Sequence, residues 1–142
     1  MTSLAPLLQS FFDERLMTQR QVSPHTISAY KTTFSLLVRF ARDHLGKTPS
    51  NLTLEDLSAP LIASFLHFLE VERNNSIRTR NARLAAIHSF FRYLAALVPN
   101  HADLVKRVLD IPHKRFDRRL VDFLSRPEFE SLLAAPDPVS YT

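Results

Sequence analysis

The sequence has no cysteine, a single glycine and no apolar run near the length of a membrane span. Without cysteine there is no disulfide framework, no thiolate nucleophile and no thiolate metal site, which fits a reducing, cytoplasmic compartment. With Gly46 alone, the glycine-rich loops that cradle nucleotide phosphates are excluded. A bilayer-spanning helix needs about 20 apolar residues, and none of the apolar runs approaches that. The start, MTSLAPLLQSFFDERL, lacks a basic opening and carries acids by Asp13, unlike a secretory signal. The six histidines (25, 44, 67, 88, 101 and 113) lack metal-ligand spacing. Asp13/Glu14 and Glu55/Asp56 are adjacent pairs that read as surface or first-turn charges favoured by a helix dipole. No nucleophile stands beside a base in a recognisable pattern. The expectation is therefore a chain with no catalytic residues of its own, no metal, no cofactor and no small-molecule ligand.

What is present is ordinary globular material, 142 residues at 45% hydrophobic and 23% charged, enough for one domain with a real core, or one domain and a fragment of a second. Its charge is unevenly placed. Between Arg73 and Arg119 there are eleven Lys/Arg and three acids, whereas the remainder holds seven basic and eleven acidic residues. Such asymmetry favours a polyanionic partner. An anionic membrane fits less well, because the basic helix described below has a core-like apolar face.

Helical periodicity runs through most of the chain. Leu4, Leu7, Leu8, Phe11, Phe12 and Leu16 recur at three- and four-residue spacing and predict a first helix over about 4–19. Ser23 as cap, Pro24 at the first helical position and Gly46 past the end bound a second helix. Its apolar stripe is Ile27, Tyr30, Phe34, Leu37, Val38, Ala41 and Leu45, with Ser28, Lys31, Ser35, Arg39 and Arg42 opposite. Thr53 caps a short turn, and Ser58, Ala59 and Pro60 open a third helix over about 60–73. The fourth runs from Ile77 to about Leu97, capped by Ser76. A short helix is read over 101–109, followed by an extended basic stretch, PHKRFDRR. Ser125 and Glu128 form a capping box, with Leu124 and Phe129 as a hydrophobic staple, for a last short helix.

The fourth helix carries the sharpest signal. Arg78, Arg80 and Arg83 fall in its opening turns, where the dipole disfavours each cation by about 0.3–1 kcal/mol, and the segment NNSIRTRNARLAAIHS contains no acid. Free N–H groups beside guanidinium forks suit a phosphate backbone. On a helical wheel Ile77, Leu84, Ile87, Phe91 and Leu94 share one side, and Arg78, Asn81, Ala85, His88 and Arg92 the other, predicting a polar stripe continuous with the arginines.

SPHTISAYKTTFSLLVRFA (23–41) followed by SIRTRNARLAAIHSFFRYLA (76–95) resembles the N-terminal core-binding domain of the tyrosine recombinases, the phage-integrase and Xer-like family. The recurring pattern places Thr26 and Tyr30 in the second helix, and Thr79, Arg83, Leu84, Ile87, Phe90, Phe91 and Leu94 in the fourth. LVDFLSRPEFESLLAA (120–135) is similar to the start of that family's catalytic domain. The resemblance implies an all-α, four-helix SAM-like orthogonal bundle of two helical hairpins over 1–111, a basic interdomain linker over 112–124, and over 125–142 the first helix of a catalytic domain otherwise absent. It implies double-stranded DNA as partner, clamped through the second and fourth helices, with other recombinase protomers on the same DNA. The DNA-binding residues so implied are Ser23, His25, Thr26, Ser28, Lys31, Ser35 and Arg39 on the second helix and Ser76, Arg78, Thr79, Arg80, Asn81, Arg83, His88 and Arg92 on the fourth. Lys114, Arg115, Arg118 and Arg119 join them in the linker. His88 stands where many members have arginine. Tyr141, after two prolines and without Arg or His motifs nearby, is not read as the family's nucleophile. Two other classes stay open on the residues themselves: a stand-alone helical DNA-binding regulator, and a helical protein–protein module whose basic face meets an acidic partner.

Overall fold

The computed structural model describes residues 2–115, which up to Pro112 form one compact unit. Five helices are present among them: α1 (Leu4–Ser10), prolonged by a wider helical segment (Phe11–Gln19), α2 (Pro24–Leu45), α3 (Ala59–Val71), α4 (Ile77–Leu97) and α5 (Ala102–Leu109). Among the described residues there is no strand, only one isolated antiparallel bridge, Ser3 to Thr53, and no helix long and apolar enough to cross a membrane. The last helix read from the sequence, after Ser125, lies outside the described residues.

Local chemistry sets the helix ends. Ser23 Oγ accepts from the Thr26 N–H at 3.2 Å and Pro24 opens α2, while Gly46 closes it in the left-handed region, φ 67°, that a side chain disfavours. Ser58 and Ser76 repeat the same cap at the starts of α3 and α4, accepting from Leu61 and Thr79. The first helix departs from the uniform α-helix that its spacing predicts. From Phe11 its bonds run to the fifth residue, as in Arg20 N–H to Arg15 O at 2.9 Å. This wider winding brings residues five apart onto one face, so Phe11 and Leu16 are both fully buried.

Phe11 is the centre of the core, with the rings of Phe12, Tyr30, Phe34, Phe90 and Tyr93 at centroid distances of 5.3–6.4 Å. These rings come from the first helix, α2 and α4, and most meet edge-to-face, an arrangement that adds to simple burial. A second aromatic group, Phe40, Phe65 and Phe68, ties α2 to α3. α4 runs through the middle, packed by the first helix, α2, α3 and α5. It therefore buries Leu84, Ile87, Phe90, Phe91 and Leu94 together with polar residues.

The amino-terminal segment is tied across the α2–α3 loop. Leu4 N–H donates to Leu52 O, and Leu54 N–H to Thr2 O. Glu55 completes the tie, accepting from Thr2 N–H at 3.1 Å and from His101 Nε2 at 2.6 Å. Partial burial pushes the Glu55 carboxyl up, but hydrogen bonds from its own backbone N–H, His101 and Thr2 outweigh burial and hold it at about 2. A carboxylate depressed in the folded state contributes stability above its ordinary value of 4.5, and that contribution is lost as pH falls towards about 2. Glu55→Gln is thus expected to flatten the acid limb of the stability–pH curve in that window while leaving its alkaline limb in place. An acid limb that keeps its slope in the variant, followed by urea denaturation, would refute the tie.

Candidate nucleic-acid interface

α2 turns its polar stripe outward. His25, Ser28, Lys31, Ser35 and Arg39 are exposed, whereas Thr26 is half-buried and its N–H and hydroxyl are engaged by Ser23. Arg42, at the end of the same stripe, pairs with Asp43 at 2.9 Å. α4 contributes a narrower face than its sequence predicts. Arg78, Ala82, Ala85 and Arg92 are exposed; Ser76 and Thr79 are half-buried and bonded to each other as the cap.

Three residues of the expected stripe lie inside the fold instead. Arg80 is only 8% exposed. Its Nε lies 3.5 Å from Glu70 Oε1, and its Nη1 donates to Asn81 Oδ1 and Pro112 O, each at 3.1 Å. Burial pushes its guanidinium pKa down, and Glu70 partly restores it. The acid missing from the opening of α4 is supplied by α3, ten residues upstream in the chain, so Arg80 stitches α3, α4 and the segment after α5 together. Asn81 is buried beside it. His88 is 4% exposed, with Nε2 3.0 Å from Val108 O, which requires the Nε2–H tautomer and ties α4 to the end of α5. α5 packs on this side of α4, so a wheel with one apolar side understates how much of the helix is covered. Arg80, Asn81 and His88 are accordingly removed from the candidate surface.

Arg83 joins the two helices. Its Nη1 donates to Ala29 O at 3.2 Å and to Thr33 Oγ1 at 3.1 Å, both on α2. Beside it a cavity of about 510 Å³ opens between α2 and the α3–α4 corner, lined by Lys31, Thr32, Ser35, Leu36, Arg39, Arg73, Asn75 and Arg83. Sequence periodicity missed Arg73 and Asn75, which lie in the turn between helices where no helical repeat applies. Lys114 and Arg115 are exposed. Arg118 and Arg119 lie outside the described residues. Among the described residues, no group of histidine, cysteine or acidic side chains is arranged to hold a metal.

The sequence of this bundle matches known proteins. Residues 9–96 fit the model of the phage integrase, N-terminal SAM-like domain. The chain belongs to that family. This integrase-type domain is 59% identical over 135 residues to a Sinorhizobium fredii protein named as an integrase/recombinase, y4rC, covering 95% of this chain and 41% of that protein. It is 46% identical to a second such protein of the same organism, y4rD, again over 95% of this chain and 48% of the relative. It is also 32% identical to the tyrosine recombinase XerC of Pelobacter propionicus, over 66% of this chain and 30% of XerC. The chain thus spans less than half the length of these relatives. No solved structure matches it.

Proposed function

We propose that this chain is the DNA-binding half of a site-specific tyrosine recombinase, gripping duplex DNA with the exposed faces of α2 and α4. The observation that carries the reading is the pairing of these helices through Arg83, which leaves Lys31, Arg39, Arg78 and Arg92 exposed on the two elements. Family membership and relatives named as integrases and recombinases support it. In this reading the cations and cap hydroxyls supply phosphate contacts, which set register, and arginine facing guanine is the first choice for a base contact.

Residues 1–111 are read as the binding domain, 112–124 as a connector that stays against the phosphate backbone through Lys114, Arg115, Arg118 and Arg119, and 125–142 as the opening of a catalytic domain. Strand cleavage belongs to that further domain, so the chain alone binds and does not cut. Other recombinase protomers would share the same DNA.

The test is duplex binding by the pure chain, followed by fluorescence anisotropy across a salt series. Affinity should fall steeply with salt, with a log–log slope of about −0.9 for each phosphate neutralised, and an acidic protein competitor should not displace the DNA. Binding that is insensitive to salt, or displaced by the acidic protein, would sink the reading. So would relaxation of supercoiled plasmid that disappears in Tyr141→Phe.

A further inference from the structure

The cavity beside Arg83 is more specific than a basic face. Four cations line it: Lys31 and Arg39 from α2, Arg73 from the α3–α4 corner and Arg83 from α4. Among the described residues no carboxylate lies within ion-pair distance of any of the four, although six other basic side chains in the fold have such a partner. Like charges gathered in a concavity repel one another, and among the described residues this group has no ion-pair partner to offset that.

Arg83 and the backbone of the corner are also held in place. Arg83 Nη1 is fixed by Ala29 O and Thr33 Oγ1, and its Nε is buried with no hydrogen-bond partner among the described residues. The corner is pinned by Asn75 N–H to Leu69 O at 2.9 Å and by Asn75 Nδ2 to Arg73 O at 3.3 Å. Asn74 sits there in the left-handed region at φ 54°, a conformation asparagine tolerates better than most residues. Arg73 is thereby presented to the cavity from a fixed turn.

We infer that Lys31, Arg39, Arg73 and Arg83 form a seat for one phosphate group of a DNA strand. The proposal rests on the duplex-binding reading above and adds to it a defined anion site that includes the α3–α4 corner. Guanidinium forks converging from three elements suit a tetrahedral oxyanion, which accepts several donors at once. Among the described residues the Arg73 side chain makes no hydrogen bond, so its expected contribution lies with the ligand.

Inorganic pyrophosphate serves as the isolated probe. Added to the full chain at matched ionic strength against chloride, it should raise the thermal midpoint in a saturable way, as any ligand of the native state does. Arg39→Ala/Arg73→Ala should abolish that rise and fold normally in chloride, whereas Arg107→Ala on α5 should keep it. Arg73→Ala should also weaken duplex binding and make its log–log salt slope shallower by about 1. Equal stabilisation of the parent and the double variant would overturn the seat. So would unchanged duplex affinity in Arg73→Ala, with the parent still binding DNA, and in that case the broader reading survives. A parent that takes pyrophosphate at these residues yet binds no duplex would refute the DNA-strand assignment together with the duplex-binding reading.

Discussion

Arg80→Ala is expected to lower folding stability by about 2–4 kcal/mol, while Arg78→Ala, two residues earlier, changes it by less than about 0.5 kcal/mol. The two arginines look alike in sequence, both early in α4 and both opposed to its dipole. In the fold they are opposites: Arg78 is exposed, and Arg80 is enclosed with Glu70, Asn81 and the Pro112 carbonyl as partners. Truncating one member of a buried pair leaves the other charge unpaired, which typically costs 3–5 kcal/mol. The Glu70 side chain keeps 23% of its exposure, so water recovers part of that loss and the lower range applies. Lysine should not rescue, because a single ammonium cannot serve the carboxylate and the carbonyl through a planar fork. Replacing the pair by apolar residues, Arg80→Met with Glu70→Leu, should cost less than Arg80→Ala alone. Urea denaturation of the four variants decides it. If Arg78→Ala proved the destabilising change and Arg80→Ala the neutral one, the assignment of Arg80 to the interior would be wrong.

That contrast shows where sequence reading succeeds and where it stops. The ends of α2 are legible because Ser23, Pro24 and Gly46 each act on the local backbone, and the same holds for Ser76 at the start of α4. Leu84, Ile87, Phe91 and Leu94 mark a buried side because apolar groups leave water wherever they are covered. Polar residues carry no such one-way signal. Asn81 and His88 have the same side chains whether wet or satisfied inside, and only the position of Val108 O and of Arg80 reveals which. The wider winding after Phe11 is hidden for a related reason. Phe11, Phe12 and Leu16 satisfy a three-and-four spacing on paper, and the five-residue register emerges only when Phe11 must meet rings from two other helices. Arg73 and Asn75 were illegible as site residues because a corner is positioned by its flanking helices and not by its own pattern.

Removing the exposed cations of both helices together should have the largest effect on binding. For Lys31→Ala, Arg39→Ala, Arg78→Ala and Arg92→Ala combined, the log–log salt slope for duplex DNA is expected to become shallower by about 2–3, since each phosphate contact contributes about 0.9 and Lys31 and Arg39 share one phosphate. All four residues are exposed, and surface substitutions of this kind usually change stability by no more than about 0.5 kcal/mol each. The variant should therefore stay folded while it loses affinity most severely at low salt. Net charge alone would also weaken binding, so Lys106→Ala/Arg107→Ala is the necessary comparison. Those two cations lie on α5 and are paired with Asp110 and Asp103 at 2.8 and 3.2 Å. Their removal lowers the overall charge without touching α2 or α4, and the salt slope should move by less than about 1. A similar loss of slope from both sets would mean that DNA senses only the total charge of the domain. A loss confined to the first set would locate the contacts on the two helices that Arg83 holds together.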